Sequence, residues 1–379
     1  MKIDADWLND HHLQSLIAAL DGAGFQTLAV GGCVRNALMG RAISDVDLAT
    51  AALPETVTNT AVSLGFRAIP TGIDHGTITV VTPQRAYEIT TFRRDISTDG
   101  RHAVVQFADD VAQDAARRDF TINALYVAAD GTVIDPLGGL PDIAACRVRF
   151  VGDAGARIRE DYLRILRFFR FSAIYGDASA GFDAQTIAAC ADHLDGIDTL
   201  SRERVGQEMR KLLAAIDPAP ALATMAQAGV LARVLTGADV RFIAPLVHLE
   251  EGVARGFIAR LTLMGGQDVT ASLRLSWAET SMLDTIRGEL GGVLTAAALG
   301  WRHGLDLATD IIVARAALMG QGLPHDWQGE IQRGAGAICP VTAADFMPRL
   351  SGPDLGRALR DAIERWLASD LRARPQDLI

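Results

Sequence analysis

Strand signals crowd into the first 150 residues of this chain and nearly vanish after about residue 152. In the first part, short β-branched and aromatic runs (TLAV, DVDLATAA, FRAIP, TITVVT and AYEITTF) alternate with helical patterns. Residues 12–23 place Leu13, Leu16, Ile17 and Leu20 on one helical face. VRNALMG reads as a helix closed by Gly40, and PETVTNTAVSLG as a helix opened by Pro54 and closed by Gly65. Beyond residue 152, leucine- and alanine-rich stretches of helical spacing run on, interrupted at DPAP (217–220), GGQD (265–268), GG (291–292) and GLP (322–324). The asymmetry predicts an α+β chain, with an α/β head over residues 1–150 followed by helices alone. The segment between Phe92 and Gln106 is charged, contains Asp99-Gly100, and is predicted to be a mobile loop.

Composition narrows the function classes. With 49% apolar and 22% charged residues, a sizeable core is available and wholesale disorder is excluded. The net charge of −10 argues against a generally basic nucleic-acid coat protein, so phosphate binding requires local positive charge. Cys33, Cys146, Cys190 and Cys339 form no close pair, which fits a reducing cytoplasm and excludes a CxxC zinc site. The opening MKIDADWLNDHH is acidic and polar, which predicts no secretory signal, and no apolar run reaches membrane-spanning length.

The chemistry concentrates where VGGCVRNALMG is followed by SDVDLAT. Two glycines between a strand and a helix let the backbone approach a phosphate closely, and Arg35 on the first helical turn can add a charge-assisted contact. Gly32 is therefore a candidate for nucleotide binding together with Arg35. Asp45 and Asp47 are spaced to share one face of a strand, where they repel each other unless a cation lies between them. Mg²⁺ is held by one or two carboxylates plus substrate phosphates, so a phosphate cradle followed by DxD points to metal-assisted phosphoryl transfer.

The pattern GG-x-VR-x(9)-DVDLAT resembles the nucleotidyltransferase motif of the DNA polymerase beta superfamily. YEITTFRRD, DGRHAVVQF, ARRDFTINALY, DPLGG and EDYLRILRFFRF follow in order. Together they resemble the class II tRNA nucleotidyltransferases and bacterial poly(A) polymerases. The resemblance implies a polymerase-beta-like head at 1–150, a helical neck at 151–216 that recognises the base, and a helical body and tail at 217–379 that bind tRNA. It implies catalytic, metal-binding roles for Asp45 and Asp47, places Arg118 against the nucleotide and gives Asn123 a part in positioning the sugar. One position departs from the pattern: the motif usually ends VRD, and this chain has Asn36. If the acid orients an arginine, an amide can still accept that hydrogen bond.

RIREDYLRILRFFRF (157–171), taken as one helix, puts Asp161 and Arg164 on one face, with Arg167 and Arg170 continuing the row. Nearly every other position is apolar, so the helix should be largely buried and its charges must face a cleft or pair inside. An intrahelical Asp–Arg pair explains the spacing equally well. The resemblance favours a protein template for the incoming base. Cytosine and adenine each present an amino donor beside a ring-nitrogen acceptor, whereas guanine and uracil present the reverse. Asp161 only accepts and Arg164 only donates, so the pair fits C and A.

The expected activity is thus Mg²⁺-dependent, template-independent addition of CCA to tRNA 3′ ends from CTP and ATP, with tRNA as partner and neither a membrane nor a protein partner expected. Poly(A) polymerase, or an enzyme adding only CC or only A, is the alternative. Bacterial poly(A) polymerases tend to carry an extended basic C-terminus that this acidic chain lacks. A non-catalytic RNA-binding protein is a distant third. The doublet His325-Asp326 reads as a helix-start turn, SRERVGQEMRKLL (201–213) as a locally paired helix, and the later tryptophans as packing residues.

Overall fold

The computed structural model describes residues 1–99, 102–253, 256–347 and 349–379. It divides into two compact units: residues 1–200 with 228–230, and residues 201–227 with 231–379.

The first unit is built on a mixed sheet. Helix α1 (His11–Gly22) is started by Asp10, whose side chain accepts from the Leu13 amide, and buries the predicted Leu13, Leu16, Ile17 and Leu20. There follow β1 (Thr27–Val30), α2 (Gly32–Leu38), β2 (Asp47–Thr50) and α3 (Pro54–Ser63), the last with proline in its first turn. Then come β3 (Arg67–Gly72), β4 (Thr77–Val81) and β5 (Ala86–Thr91). Where the sequence predicted a loop, β6 (Arg93–Asp99) and β7 (His102–Phe107) pair antiparallel; Gly100 and Arg101 of the expected turn lie outside the described residues. Helix α4 (Val111–Ala116), β8 (Tyr126–Val127), β9 (Val133–Ile134) and α5 (Leu140–Ala144) complete the head. The seven-stranded sheet has the order β3-β4-β5-β2-β1-β8-β9, in which only β2 and β5 are parallel. Leu28, Val30, Ala49, Phe92, Ala124 and Tyr126 are among its core residues.

The predicted single helix over 157–171 is two. Helix α6 (Ala154–Glu160) ends at Asp161, whose backbone is extended (φ −154°, ψ 105°), and α7 (Leu163–Tyr175) begins two residues later. The cause is local: the Asp161 carboxylate accepts from the Leu163 amide at 3.1 Å, a side-chain turn that competes with continuing the first helix. The expected burial of α7 holds, with Leu163, Ile165, Leu166, Phe168, Phe169 and Phe171 inside. Helix α8 (Ala184–Asp192) follows.

The second unit is helical throughout its described residues. Helix α9 (Arg202–Leu213) is capped by Ser201 and buries Val205, Met209, Leu212 and Leu213. Asp326 precedes the helix Trp327–Ala335 as expected, without a side-chain cap bond. Trp301 and Trp366 pack edge to face and Trp327 is buried, but Trp277 is 87% exposed. No helix among the described residues is long and apolar enough to cross a membrane.

Candidate nucleotidyl-transfer site

The site grows out of the end of β1. Strands β1 and β2 run antiparallel with Val30 opposite Asp47, so the Gly31-Gly32 turn emerges beside the second carboxylate of the DxD pair. Gly31 has φ +75°, a conformation that side chains rarely adopt. A Cβ added at Gly31 would lie 3.5 Å from Arg118 Nη1, and one at Gly32 would lie 3.7 Å from Arg35 Nη2. Two guanidinium groups therefore flank a turn with no side chains of its own. That is a cradle for an anion.

Asp47 is the first residue of β2, and Asp45 stands two residues ahead of the ladder rather than on it. The Ser44 hydroxyl donates to Asp45 Oδ2 at 2.9 Å. Asp47 reaches solvent, yet protein lies on most sides of it. That desolvation, then Glu88 and Asp45, push its carboxyl up to about 6 against the opposing pull of Arg118. Glu88 is the residue opposite Asp47 across the parallel β2–β5 ladder. Sequence reasoning missed it; the only hint was its alternation within AYEITT.

These donors suit a hard divalent cation. Among the described residues no three His, Cys, Asp or Glu side chains are arranged to enclose an ion by themselves. A cation beside Asp45 and Asp47 would complete its shell with substrate oxygens, as Mg²⁺ does, and would relieve the repulsion on Asp47.

Arg118 is held for this position. Its Nη2 donates to Asp114 Oδ2 at 2.8 Å, its Nε donates to the Tyr126 hydroxyl at 3.0 Å, and Tyr126 in turn donates to Asp114. Burial alone would raise the Asp114 carboxyl, but Arg118 and Arg117 outweigh it and hold it at about 2. Asp114 and Tyr126 also escaped the sequence reading, although Asp114 lies four residues before Arg118, at helical spacing.

Arg35 is buried at 6% exposure. Its guanidinium donates to Asn123 Oδ1, to the Tyr175 hydroxyl (2.7 Å) and, through Nε and Nη2, to Asn36 Oδ1 (3.1 and 2.9 Å). The amide of Asn36 thus accepts from the arginine as the sequence suggested. Asn123, on the turn Thr121–Asn123, also donates to Asp119 Oδ1 at 2.9 Å.

The stripe of α7 is joined to the segment carrying Arg118. Arg164 donates to Glu160 and to the carbonyl oxygens of Arg157 (2.8 Å) and Arg117 (3.3 Å). Arg167 pairs with Asp119, whose carboxyl it helps to hold low against the effect of burial. Arg170 is buried with its guanidinium 4.4 Å from the Phe171 ring centre. Glu160, unremarked in the sequence, therefore anchors Arg164.

Two family models match the chain: "Poly A polymerase head domain" over residues 27–149, and "Probable RNA and SrmB-binding site of polymerase A" over residues 181–240. The human mitochondrial CCA tRNA nucleotidyltransferase 1 is 42% identical over 202 residues, covering 53% of this chain and 46% of that protein; the chain spans about half the length of such relatives. The CCA-adding enzyme of Geobacillus stearothermophilus is 34% identical over 378 residues, covering 92% of this chain and 90% of that one. The crystal structure of the Bacillus stearothermophilus CCA-adding enzyme in complex with CTP superposes with a TM-score of 0.72 at 28% identity, covering 94% of this chain and 92% of that one. With a match of this identity running the length of both proteins, the chain belongs to the family of CCA-adding enzymes.

Proposed function

We propose that the protein adds CCA to the 3′ ends of tRNA from CTP and ATP by Mg²⁺-dependent nucleotidyl transfer, in the cytoplasm. The observation that carries this is the convergence of Gly31-Gly32, Asp45, Asp47 and Arg118 at one end of the β1–β2 pair. A cation held by Asp45 and Asp47, with Glu88 nearby, supplies charge neutralisation at the triphosphate and activation of the primer 3′-hydroxyl. Gly32 leaves room for the phosphates, and Arg118 and Arg35 supply positive charge on either side of them. Arg118 enters the reaction already oriented by Asp114 and Tyr126. Asn123 holds the turn beside the sugar.

Base choice falls to Asp161 and Arg164, with Arg167 and Arg170 continuing the positive row. Asp161 accepts from the amino group of C or A, and Arg164 donates to the ring nitrogen or carbonyl beside it. Glu160 fixes Arg164 in place. One DxD and one such stripe make a single site for both nucleotides. In this assignment residues 1–150 are the catalytic head, 151–216 the base-reading neck, and 217–379 the body and tail that hold tRNA by shape and backbone.

The test is incubation with tRNA transcripts ending before CCA, at C, or at CC, with CTP and ATP separately and together. CCA addition gives products of defined length that stop at CCA. Long adenosine tails would instead support poly(A) synthesis, the reading favoured by the wording of the two family models. Arrest at CC, or A addition to CC alone, would mark a specialist. No incorporation of either nucleotide would leave a non-catalytic RNA-binding protein.

A further inference from the structure

The segment between α2 and β2 decides where Asp45 stands relative to Asp47, and three contacts secure it. The Arg41 amide donates to the Asn36 carbonyl oxygen at 2.8 Å. The Arg41 guanidinium lies 5.1 Å from the centre of the Tyr175 ring, and Arg35 lies 4.0 Å from the same centre. The third contact is the Asn36 side chain, whose Nδ2 donates to the Ala42 carbonyl oxygen at 2.7 Å.

The orientation of that amide follows from its neighbours. Arg35 Nε and Nη2 can only donate, so the Asn36 atom at 3.1 and 2.9 Å from them is the oxygen. The nitrogen is then the atom facing Ala42, whose carbonyl can only accept. Asparagine satisfies both partners at once. An aspartate would gain charge toward Arg35, yet it would set a carboxylate oxygen against the Ala42 carbonyl. A leucine of similar size would satisfy neither partner.

We propose that Asn36 is a positioning residue: its amide fastens the Ala42 segment to the braced end of α2 and so sets the place of Asp45 beside Asp47. The inference rests on the reading of Asp45 and Asp47 as the cation-binding pair. It adds a residue that touches neither cation nor substrate but fixes the approach of one carboxylate.

Two readouts on Asn36→Asp test it, with Tyr175→Phe as control. The first is hydrogen exchange of the Arg41 amide in the full-length protein without nucleotide. The second is the Mg²⁺ concentration that half-saturates CTP incorporation. Losing one hydrogen bond should speed Arg41 exchange about tenfold in Asn36→Asp. The half-saturating Mg²⁺ concentration should rise several-fold, with incorporation at saturating Mg²⁺ changed little. Tyr175→Phe keeps the ring under both guanidinium groups and keeps the Asn36–Ala42 bond, so Arg41 exchange should stay at the wild-type rate. Wild-type exchange and Mg²⁺ dependence in Asn36→Asp would overturn the proposal. Equal loosening by Tyr175→Phe would also overturn it, by making the brace general. Hydrogen exchange needs no turnover, so a wild-type protein that incorporates nothing would end the functional reading alone, and exchange would still decide the fastening.

Discussion

Each compact unit holds a charged group set against other charges, and the two are treated in opposite ways. In the helical unit Arg260 is fully buried. It donates to Glu250 at 2.6 and 3.0 Å and to the carbonyl oxygens of Leu213, Ala215 and Ile216, the last of them at 3.3 Å. Its charge is neutralised within the fold, and its hydrogen bonds gather the chain that leaves α9. In the head, Asp47 has two further carboxylates as neighbours, and the guanidinium nearest to it is bound to Asp114. The first arrangement serves stability. The second gathers carboxylates that Arg118 partly offsets, the arrangement that a bound cation would relieve under the proposed function. Close-set charges occur in both, and the two differ in whether oppositely charged partners are supplied from within.

Removing the central group of each region should therefore have opposite consequences. Asp47→Asn should lower incorporation by ~10⁴-fold or more, about 5.5 kcal/mol of barrier, because the carboxylate proposed to draw the cation is gone. The melting temperature should hold or rise, since a repulsive contact is relieved. Single-turnover CTP addition and thermal unfolding on the same preparation check both. Arg260→Ala should do the reverse, costing about 3–5 kcal/mol of stability by stranding Glu250 in the interior. Urea unfolding measures it, and per-molecule incorporation by the remaining folded protein should match wild type. A catalytic defect in folded Arg260→Ala would break the contrast.

The α7 stripe lies between these extremes, because Arg164 and Arg167 pair with carboxylates inside the fold while the proposed function also gives the stripe a ligand. Arg164→Ala and Asp161→Ala should each lower discrimination of C and A against U and G by on the order of 10²-fold, about 3 kcal/mol. The check is kcat/KM for all four nucleotides on tRNA ending before CCA and at CC. Lost rate with unchanged ratios would make the pair structural. Asp114 carries the smallest effect. Its carboxyl is held at about 2 in the fold against an ordinary value of 3.8. The stabilisation is therefore fully present above pH 4 and is lost as the pH falls from about 4 through 2. Asp114→Asn should remove about 2 kcal/mol at pH 7 and flatten that part of the acid-unfolding curve.

The division between what the sequence revealed and what it hid follows the range of the interactions. The placing of Gly31-Gly32 between a strand and a helix, with Asp47 at the start of the next strand, was readable because these signals are local. Glu88 was hidden because it reaches Asp47 only through the parallel pairing of strands forty residues apart. Tyr126 lies only eight residues beyond Arg118, but the contact forms because the turn at Thr121–Asn123 folds the chain back, and no simple spacing marks that. The break at Asp161 was missed for a different reason. Apolar periodicity continues smoothly through it, and only the competition of a short carboxylate for the Leu163 amide ends the first helix. Strands β6 and β7 were misread because the charged run RRDISTD lacks the apolar alternation that marks a half-buried strand, although Asp99-Gly100 is a hairpin-type pair.

The central claim is that one site, completed by a cation and selected by one Asp–Arg pair, serves both CTP and ATP. Equilibrium competition tests it most directly: labelled CTP bound to wild-type protein with Mg²⁺, titrated with ATP, GTP and UTP, and repeated with Asp47→Asn and Arg118→Ala. Complete displacement by ATP with one nucleotide bound per chain, weak displacement by GTP and UTP, and loss of binding in both variants are the predicted result. Simultaneous binding of CTP and ATP, or displacement by all four nucleotides alike, would contradict it.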